Sequence, residues 1–348
     1  MGRGRVTSID VAEAAGVSQS TVSRALAGSP AITPETRMRV EQAARDLGYH
    51  VDARAARLRS GRTGTLAIVV VGRSGYDPTR VSAFHYALLG STCAAAAERG
   101  YQSLVSFQSE AEHYSWNFVA SGQADGLVVM GTSVNRAAWA DLRQTELQGP
   151  SVFWGDPFDD GRWVRADNRG GAQLAVNRLI AAGHKRIAFV GTVDAIHPQF
   201  AERYEGYRIA LENAGLEPGK PVPAEGDDRV AAGRAAAATV MAQTDRPDAI
   251  FAANDAIALG VLEQISRMGF AVPDDIGVVG FDGLAAGEHA HPPLTTIEPD
   301  FAEAGRVLVA HVCAETDDEA REAARRVPVR LVERRSVRPP EAATPPRT

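Results

Sequence analysis

From Thr65 onward, short runs of β-branched and apolar residues alternate with longer stretches in which apolar positions recur every three or four residues. The runs at 65–71, 102–106, 126–130, 151–153, 187–190, 248–252 and 277–280 predict buried strands. Strands that alternate with helices in this way build parallel sheets with helices on both faces. The unit occurs twice, before and after about residue 166, with the segment 184–190 restarting it, so two doubly wound lobes with a cleft between them are expected. Toward the end, 295–299 leads into an apolar helix at 301–312, the acidic segment 315–319 marks an exposed turn, and 327–332 predicts a last strand.

The first fifty residues follow a purely helical rhythm. Thr7 with Asp10 three positions on has the spacing of a capping box, and Val11, Ala14 and Ala15 form the expected buried side of a first helix. Gly16 supplies a tight turn, Val17 fills the corner, and Ser18 caps a second helix. On that helix Val22, Ala25 and Leu26 share one face, while Gln19, Ser20, Ser23 and Arg24 share the other. A third helix begins at Thr33 and Pro34, carries Val40, Ala43, Ala44 and Leu47 as its apolar stripe, and stops at Gly48. Two short helices joined by a glycine turn and backed by a third are the plan of a helix-turn-helix, in which the polar face of the second helix enters a DNA major groove. A plain surface helical hairpin is the competing explanation.

Charge separates the two. The first 62 residues hold ten Arg against six Asp or Glu, a surplus of four positive charges in a chain whose net charge is −6. A basic arm on an acidic body is a nucleic-acid signature. Between arm and body, residues 51–64 contain four Arg and one apolar side chain of size, Leu58, which has no evident core to join but suits a wedge in a kinked minor-groove step. So short a helix is marginal alone in water and is expected to order on DNA or on a partner helix; an ordinary linker helix docked on the headpiece is the alternative.

The 348 residues suffice for two to three domains, and a 45% hydrophobic content without an unbroken membrane-length apolar run points to a soluble chain. Met1 to Arg5 lead into the first helix without an apolar signal core, which places the expected location in the cytoplasm. The two cysteines, Cys93 and Cys313, lack metal or redox spacing and read as buried thiols. No cofactor or metal is expected. The Pro-rich end, 338–348, is expected to be disordered, and without leucine heptads it gives no support to a tail-driven tetramer.

Ile9-Asp10-Val11-Ala12, Ala15-Gly16-Val17-Ser18, Thr21-Val22-Ser23-Arg24-Ala25-Leu26 and Leu47-Gly48-Tyr49 together resemble the headpiece of the lactose-repressor (LacI/GalR) family of bacterial transcription regulators. Asp167-Asn168, Arg203 with Gly206-Tyr207, Asn254-Asp255, Val279-Gly280-Phe281-Asp282 and Pro292-Pro293-Leu294-Thr295-Thr296 resemble that family's effector-binding core, itself similar to periplasmic sugar-binding proteins. The chain departs from the family pattern at Ser8, Ala27 and Val51. The resemblance implies a helix-turn-helix headpiece at 1–50, a hinge helix at 51–64 and an α/β core at 65–337. Lobe 1 would span about 65–166 plus 298–325, and lobe 2 about 167–297 plus 326–337. It further implies that Gln19, Ser20 and Arg24 read the operator and that Leu58 pairs with its mate from a second subunit. Thr7, Thr21, Ser23, Arg54 and Arg57 complete the candidate DNA contacts. In the core, the family's pocket positions fall on Phe84 for stacking, on Arg203, Asn254 and Asp282 for hydrogen bonds, and on Asp167, His197, Gln199 and Asp228. Two alternatives stand beside these assignments. Arg203 and Asp282 could be a salt bridge tying lobe to lobe, and Asp167, Asp228 and Asp255 could simply cap helices. Tyr76 and Trp163 are possible extra rings.

These features imply a repressor that, as a homodimer, binds double-stranded, near-palindromic operator DNA and is controlled by a small effector, a sugar by expectation. Control by a partner protein is the alternative. An α/β enzyme is disfavoured, since the chain lacks a Gly-x-Ser-x-Gly elbow, a phosphate-binding loop, a Gly-x-Gly-x-x-Gly turn and a His-Glu-x-x-His pair.

Overall fold

The computed structural model describes residues 6–49, 62–77, 81–155, 163–314 and 325–340. The chain divides into two units, Met1–Thr63 and Gly64–Thr348. In the first, α1 (Ser8–Ala15), α2 (Gln19–Leu26) and α3 (Pro34–Leu47) pack around Val11, Ala12, Ala15, Val22, Ala25, Val40 and Ala44. Asp10 accepts the backbone N–H of Thr7 at 2.7 Å and its hydroxyl at 2.8 Å, and Gly16 takes the left-handed φ of 60° that turns α1 into α2. Two positions depart from the expected stripe. Ala14 is exposed and Ala12 buried, while Leu47 is exposed because Tyr49, just past the αL turn at Gly48, packs on the core instead. The candidate residues Arg54, Arg57 and Leu58 and the segment 341–348 lie outside the described residues.

The second unit holds two sheets. Lobe 1 is built on β1 (Thr65–Val71), β2 (Gln102–Gln108), β3 (Gly126–Gly131), β4 (Ser151–Trp154), β5 (Trp163–Ala166) and β10 (Arg326–Val327), in the order β10-β5-β4-β3-β1-β2, all parallel. The helices α4 (Ala83–Glu98), α5 (Arg136–Gln144) and α10 (Phe301–Cys313) cover it, with apolar layers on both faces of the sheet. Lobe 2 is built on β6 (Ile187–Val190), β7 (Ala249–Ala252), β8 (Gly277–Phe281), β9 (Thr295–Pro299) and β11 (Val329–Val332), in the order β11-β9-β8-β7-β6. Its strands are parallel apart from β11, which runs antiparallel to β9. Helices α6 (Asn168–Ala181), α7 (Pro198–Asn213), α8 (Arg229–Met241) and α9 (Asp255–Arg267) complete the lobe.

The expected single strand at 327–332 is two strands, because Pro328 breaks the ladder and hands the chain from one sheet to the other. Residues 326–327 therefore belong to lobe 1, whereas the sequence reading put them in lobe 2. Among the described residues the chain crosses between lobes at three single residues: Asp167 between β5 and α6, Asp300 between β9 and α10, and Pro328 between β10 and β11. The crossings lie side by side, for Asp167 N–H donates to Val327 O at 2.9 Å and Asp300 N–H to Pro328 O at 3.0 Å. Arg338, in the stretch expected to be disordered, has its carbonyl held by Arg178 at 2.7 Å.

Candidate effector cleft and DNA-reading helix

Open α/β sheets bind ligands beyond the carboxyl ends of their strands. Here the ends of β1, β3, β4 and β5 of lobe 1 and of β6, β7 and β8 of lobe 2 open on one cleft of about 790 Å³. At its floor Gly131 has a φ of 145°, and a Cβ there would lie 2.2 Å from Val71 O, so only glycine lets β3 leave the sheet at that point.

Asp282 follows β8 directly and, among the described residues, is the one non-glycine with positive φ, at 114°. Such strain away from glycine concentrates at ligand sites. Its carboxylate accepts Arg203 Nη2 at 3.1 Å, and both side chains are nearly buried. Burial pushes the Asp282 carboxyl up to about 6, against the opposing pull of the Arg203 charge. Arg203 in turn lies 3.6 Å from the centroid of the Phe281 ring, donates from Nη1 to Ala253 O at 2.5 Å and from Nε to Asn168 Oδ1 at 2.9 Å. The pair is therefore formed within lobe 2, on the cleft wall, and does not tie lobe to lobe.

Of the other sequence-derived positions, Phe84, His197, Gln199, Asp228 and Asn254 line the cleft. Phe84 packs against Trp154 and Phe301, with centroids at 5.9 and 5.3 Å. Asn254 and Asp228 also cap α9 and α8, accepting backbone N–H groups of Ile257 and of Val230 and Ala231. Asp167 does not line the cleft; it caps α6 through Gly170 N–H at 3.0 Å. Asp255 is fully buried behind the wall, accepting the Thr296 hydroxyl at 2.6 Å and Leu284 N–H at 2.7 Å. Burial, and then the Asp282 charge, push its carboxyl up to about 8. His197 stands between Asp194 (2.8 Å from Nδ1) and Arg229 (2.7 Å from Nε2). Since a guanidinium only donates, Nε2 accepts and the ring is neutral, consistent with burial holding it below the usual histidine range.

The sequence reading missed several lining groups: Trp139, Trp154, His85, Asn168, Arg165, Arg73 and Arg229. Tyr76 does line the cleft, and its hydroxyl donates to Asp227 of lobe 2 at 2.8 Å, while Arg73 forms an ion pair with the same carboxylate. Trp163 is not a cleft ring; it lies under Arg165 at 3.8 Å. The signals for these groups were faint, as they are scattered over the ends of β4 and β5, the helices α4, α5, α6 and α8 and the loop after β1, and meet only in the folded chain.

In the headpiece unit, α2 buries Val22 and Ala25 and turns Gln19, Ser20 and Arg24 to solvent, with Thr21 and Ser23 half-buried beside them. Gln19 Nε2 donates to Ser8 Oγ at 2.9 Å, which ties α2 to the start of α1. The hydroxyls of Ser20 and Thr21 both lie within hydrogen-bond reach of Ser18 Oγ, at 2.9 and 2.8 Å, and Thr7 is engaged with Asp10. The Arg24 carbonyl accepts Ser29 N–H at 3.0 Å, while its side chain is exposed and has no polar contact among the described residues. No described helix is long and apolar enough to cross a membrane.

Residues 8–52 match the model of bacterial regulatory proteins of the lacI family, and residues 176–337 match the periplasmic binding protein-like domain. The chain is 34% identical over 330 residues to the HTH-type transcriptional regulator CelR of Thermobifida fusca, covering 92% of this chain and 95% of that one. It is 31% identical over 302 residues to the HTH-type transcriptional repressor CytR of Escherichia coli K12, covering 85% and 86%. Among solved structures it is similar to a CelR–cellobiose complex (TM-score 0.65, 30% identity, 95% of this chain and 100% of that one). It is likewise similar to the lac repressor dimer bound to operator and the anti-inducer ONPF (TM-score 0.74, 25% identity, 95% and 98%). A helix-turn-helix followed by two parallel α/β lobes, matched over nine-tenths of its length by a curated relative, shows that this chain belongs to the lacI family of bacterial DNA-binding transcriptional regulators, a family of regulators and not of enzymes.

Proposed function

We propose that the protein is a cytoplasmic, homodimeric repressor that reads a near-palindromic operator and whose grip on it is set by a sugar in the cleft of the second unit. The observation that carries the effector assignment is the Arg203–Asp282 pair beyond the end of β8, a fork of donors beside a carboxylate, in a cleft that the rings of Phe84, Trp154 and Trp139 also line. Sugars are bound by that combination, since hydroxyls both donate and accept while the C–H faces of the ring pack on aromatics. A cleft of about 790 Å³ has room for a disaccharide, and a similar structure is a complex with cellobiose. On the DNA side, Gln19, Ser20 and Arg24 contact base edges, Thr7, Thr21 and Ser23 steady the phosphate backbone, and Arg54, Arg57 and Leu58 engage the minor groove between half-sites. Exposed Tyr86 and Val105 on α4 and the edge strand β2 support a second copy of the chain as partner.

The test is a gel-shift titration on the protein's own upstream DNA with cellobiose and a panel of neutral mono- and disaccharides, paired with calorimetry of the same sugars. One sugar should bind and change operator affinity roughly 5- to 150-fold, the span of a 1–3 kcal/mol coupling. Specific DNA binding that no sugar alters, with no sugar detected by calorimetry, would refute the effector assignment.

A further inference from the structure

The guanidinium of Arg203 is held by three groups of lobe 2, Ala253 O, Asp282 Oδ1 and Asn168 Oδ1, and the last of these leads on to contacts with lobe 1. Its five N–H groups lie in one plane, so fixing Nε fixes the direction in which the other donors point. Nε is fixed by Asn168 Oδ1 at 2.9 Å. The Asn168 amide is in turn held with its oxygen toward Arg203, because its Nδ2 donates to Glu202 Oε2 at 2.8 Å. Turning that amide over would lose both contacts at once. The second oxygen of Glu202, Oε1, accepts Arg165 at 3.0 Å and Arg326 at 3.3 Å. Asn168, Glu202 and Arg203 belong to α6 and α7 of lobe 2, whereas Arg165 and Arg326 sit on β5 and β10 of lobe 1. Glu202 is mostly buried, with 15% of its side chain exposed, so these contacts act in a medium that screens them little.

We infer that Glu202 is a positioning residue that couples the cleft to the relative setting of the lobes. One of its oxygens answers to lobe 1, and the other holds Asn168 and, through it, the Arg203 fork that faces the cleft. A motion that draws β5 and β10 away from α7 loads the Oε1 contacts and frees the amide to rotate. By reciprocity, a ligand that captures Arg203 in one orientation favours the lobe setting in which Glu202 keeps both sets of partners. The consequence for ligand rests on the effector assignment above. The relay itself rests only on the contacts just described.

The experiment uses the full chain with ¹⁵N-labelled arginine and needs no ligand for its main arm. The Arg203 Nε–H resonance is identified by its loss in Arg203→Lys. Arg326→Ala removes a side chain that is 44% exposed, lies on the other lobe and bonds Glu202. It should shift the Arg203 resonance and speed its hydrogen exchange about threefold or more, and Glu202→Gln should do so more strongly. A Glu202 that serves only as a tie between lobes would lower the melting temperature in both variants and leave the Arg203 resonance and its exchange as in the parent; that result overturns the inference. Should Glu202→Gln fail to fold, Arg326→Ala decides alone. A second arm titrates cellobiose against operator-bound protein. Failure of cellobiose to act counts against the sugar assignment and leaves the resonance result standing.

Discussion

Asp282→Asn isolates the carboxylate with little change in shape. Asparagine tolerates a positive φ better than any other non-glycine residue, so the backbone at 114° is preserved where alanine would add strain. What is lost is the charge facing Arg203, whose side chain is only 5% exposed. Removing one partner of a buried pair costs about 3–5 kcal/mol of stability, because the other charge stays buried without compensation. Arg203 keeps Ala253 O and Asn168 Oδ1, so the lower end of that range is expected. A carboxylate accepting a ligand hydroxyl contributes about 1.5–3 kcal/mol, which converts to a roughly 10- to 150-fold loss of effector affinity for one such bond. The neighbouring Asp255 provides an internal control, since loss of the Asp282 charge removes one cause of its raised pKa. Calorimetry with the effector, run beside thermal melts of parent and variant, separates affinity from folding. A folded variant that binds the effector as tightly as the parent would refute the role given to Asp282, and the Arg203 pair would then be a structural feature of the lobe 2 wall.

Arg24→Ala should weaken operator binding by about 1–3 kcal/mol if the guanidinium meets a base edge, measured by gel shift on operator and random duplex; equal loss on both would reassign it to a phosphate. Asp255→Asn tests the buried acid. An acid raised to about 8 in the fold contributes stability that is present below its unfolded value near 3.8 and is lost as pH rises through about 8, so the variant should gain on the parent in melting temperature across that window. Effector affinity should move the other way, falling as pH drops through about 6 and Asp282 takes up its proton; calorimetry with a flat affinity from pH 7 to about 5 would contradict it. Asp227 raises the Tyr76 phenol, so Asp227→Asn should bring one tyrosine back toward its ordinary range in an alkaline absorbance titration, and an unchanged curve would mean that the contact across the cleft does not form in solution.

The strands and helices that bury a full face were legible because their pattern is strong: β1 is apolar over six consecutive residues after Thr65, and α3 announces both ends with Thr33, Pro34 and Gly48. What the sequence concealed was short or relational. Trp163–Ala166 is a strand because it is clamped between β4 and β10, although Trp-Val-Arg-Ala carries little strand signal of its own. Thr295–Pro299 is likewise a central strand between β8 and β11. Asp282 and Arg203 could each be picked out as polar groups near strand ends, yet that they pair within one lobe depends on contacts 79 residues apart. Asp167 illustrates the opposite limit, for an aspartate ahead of a helix looks the same in sequence whether it faces a ligand or only caps the helix, and here it caps.

The three single-residue crossings limit what any ligand can do to this protein. One tether would let the lobes bend, twist and slide; three laid side by side, stitched by Asp167 N–H to Val327 O and Asp300 N–H to Pro328 O, leave little but rotation about the line they define. Of the movements open to lobes joined in this way, a change of opening angle is the one that these ties oppose least. On the proposed function, a ligand in the cleft would act on the rest of the molecule through the angle that it favours. Ligands of different shape that favour the same angle should therefore be equivalent to the DNA-reading end, and ligands of similar affinity that favour different angles should act as opposites.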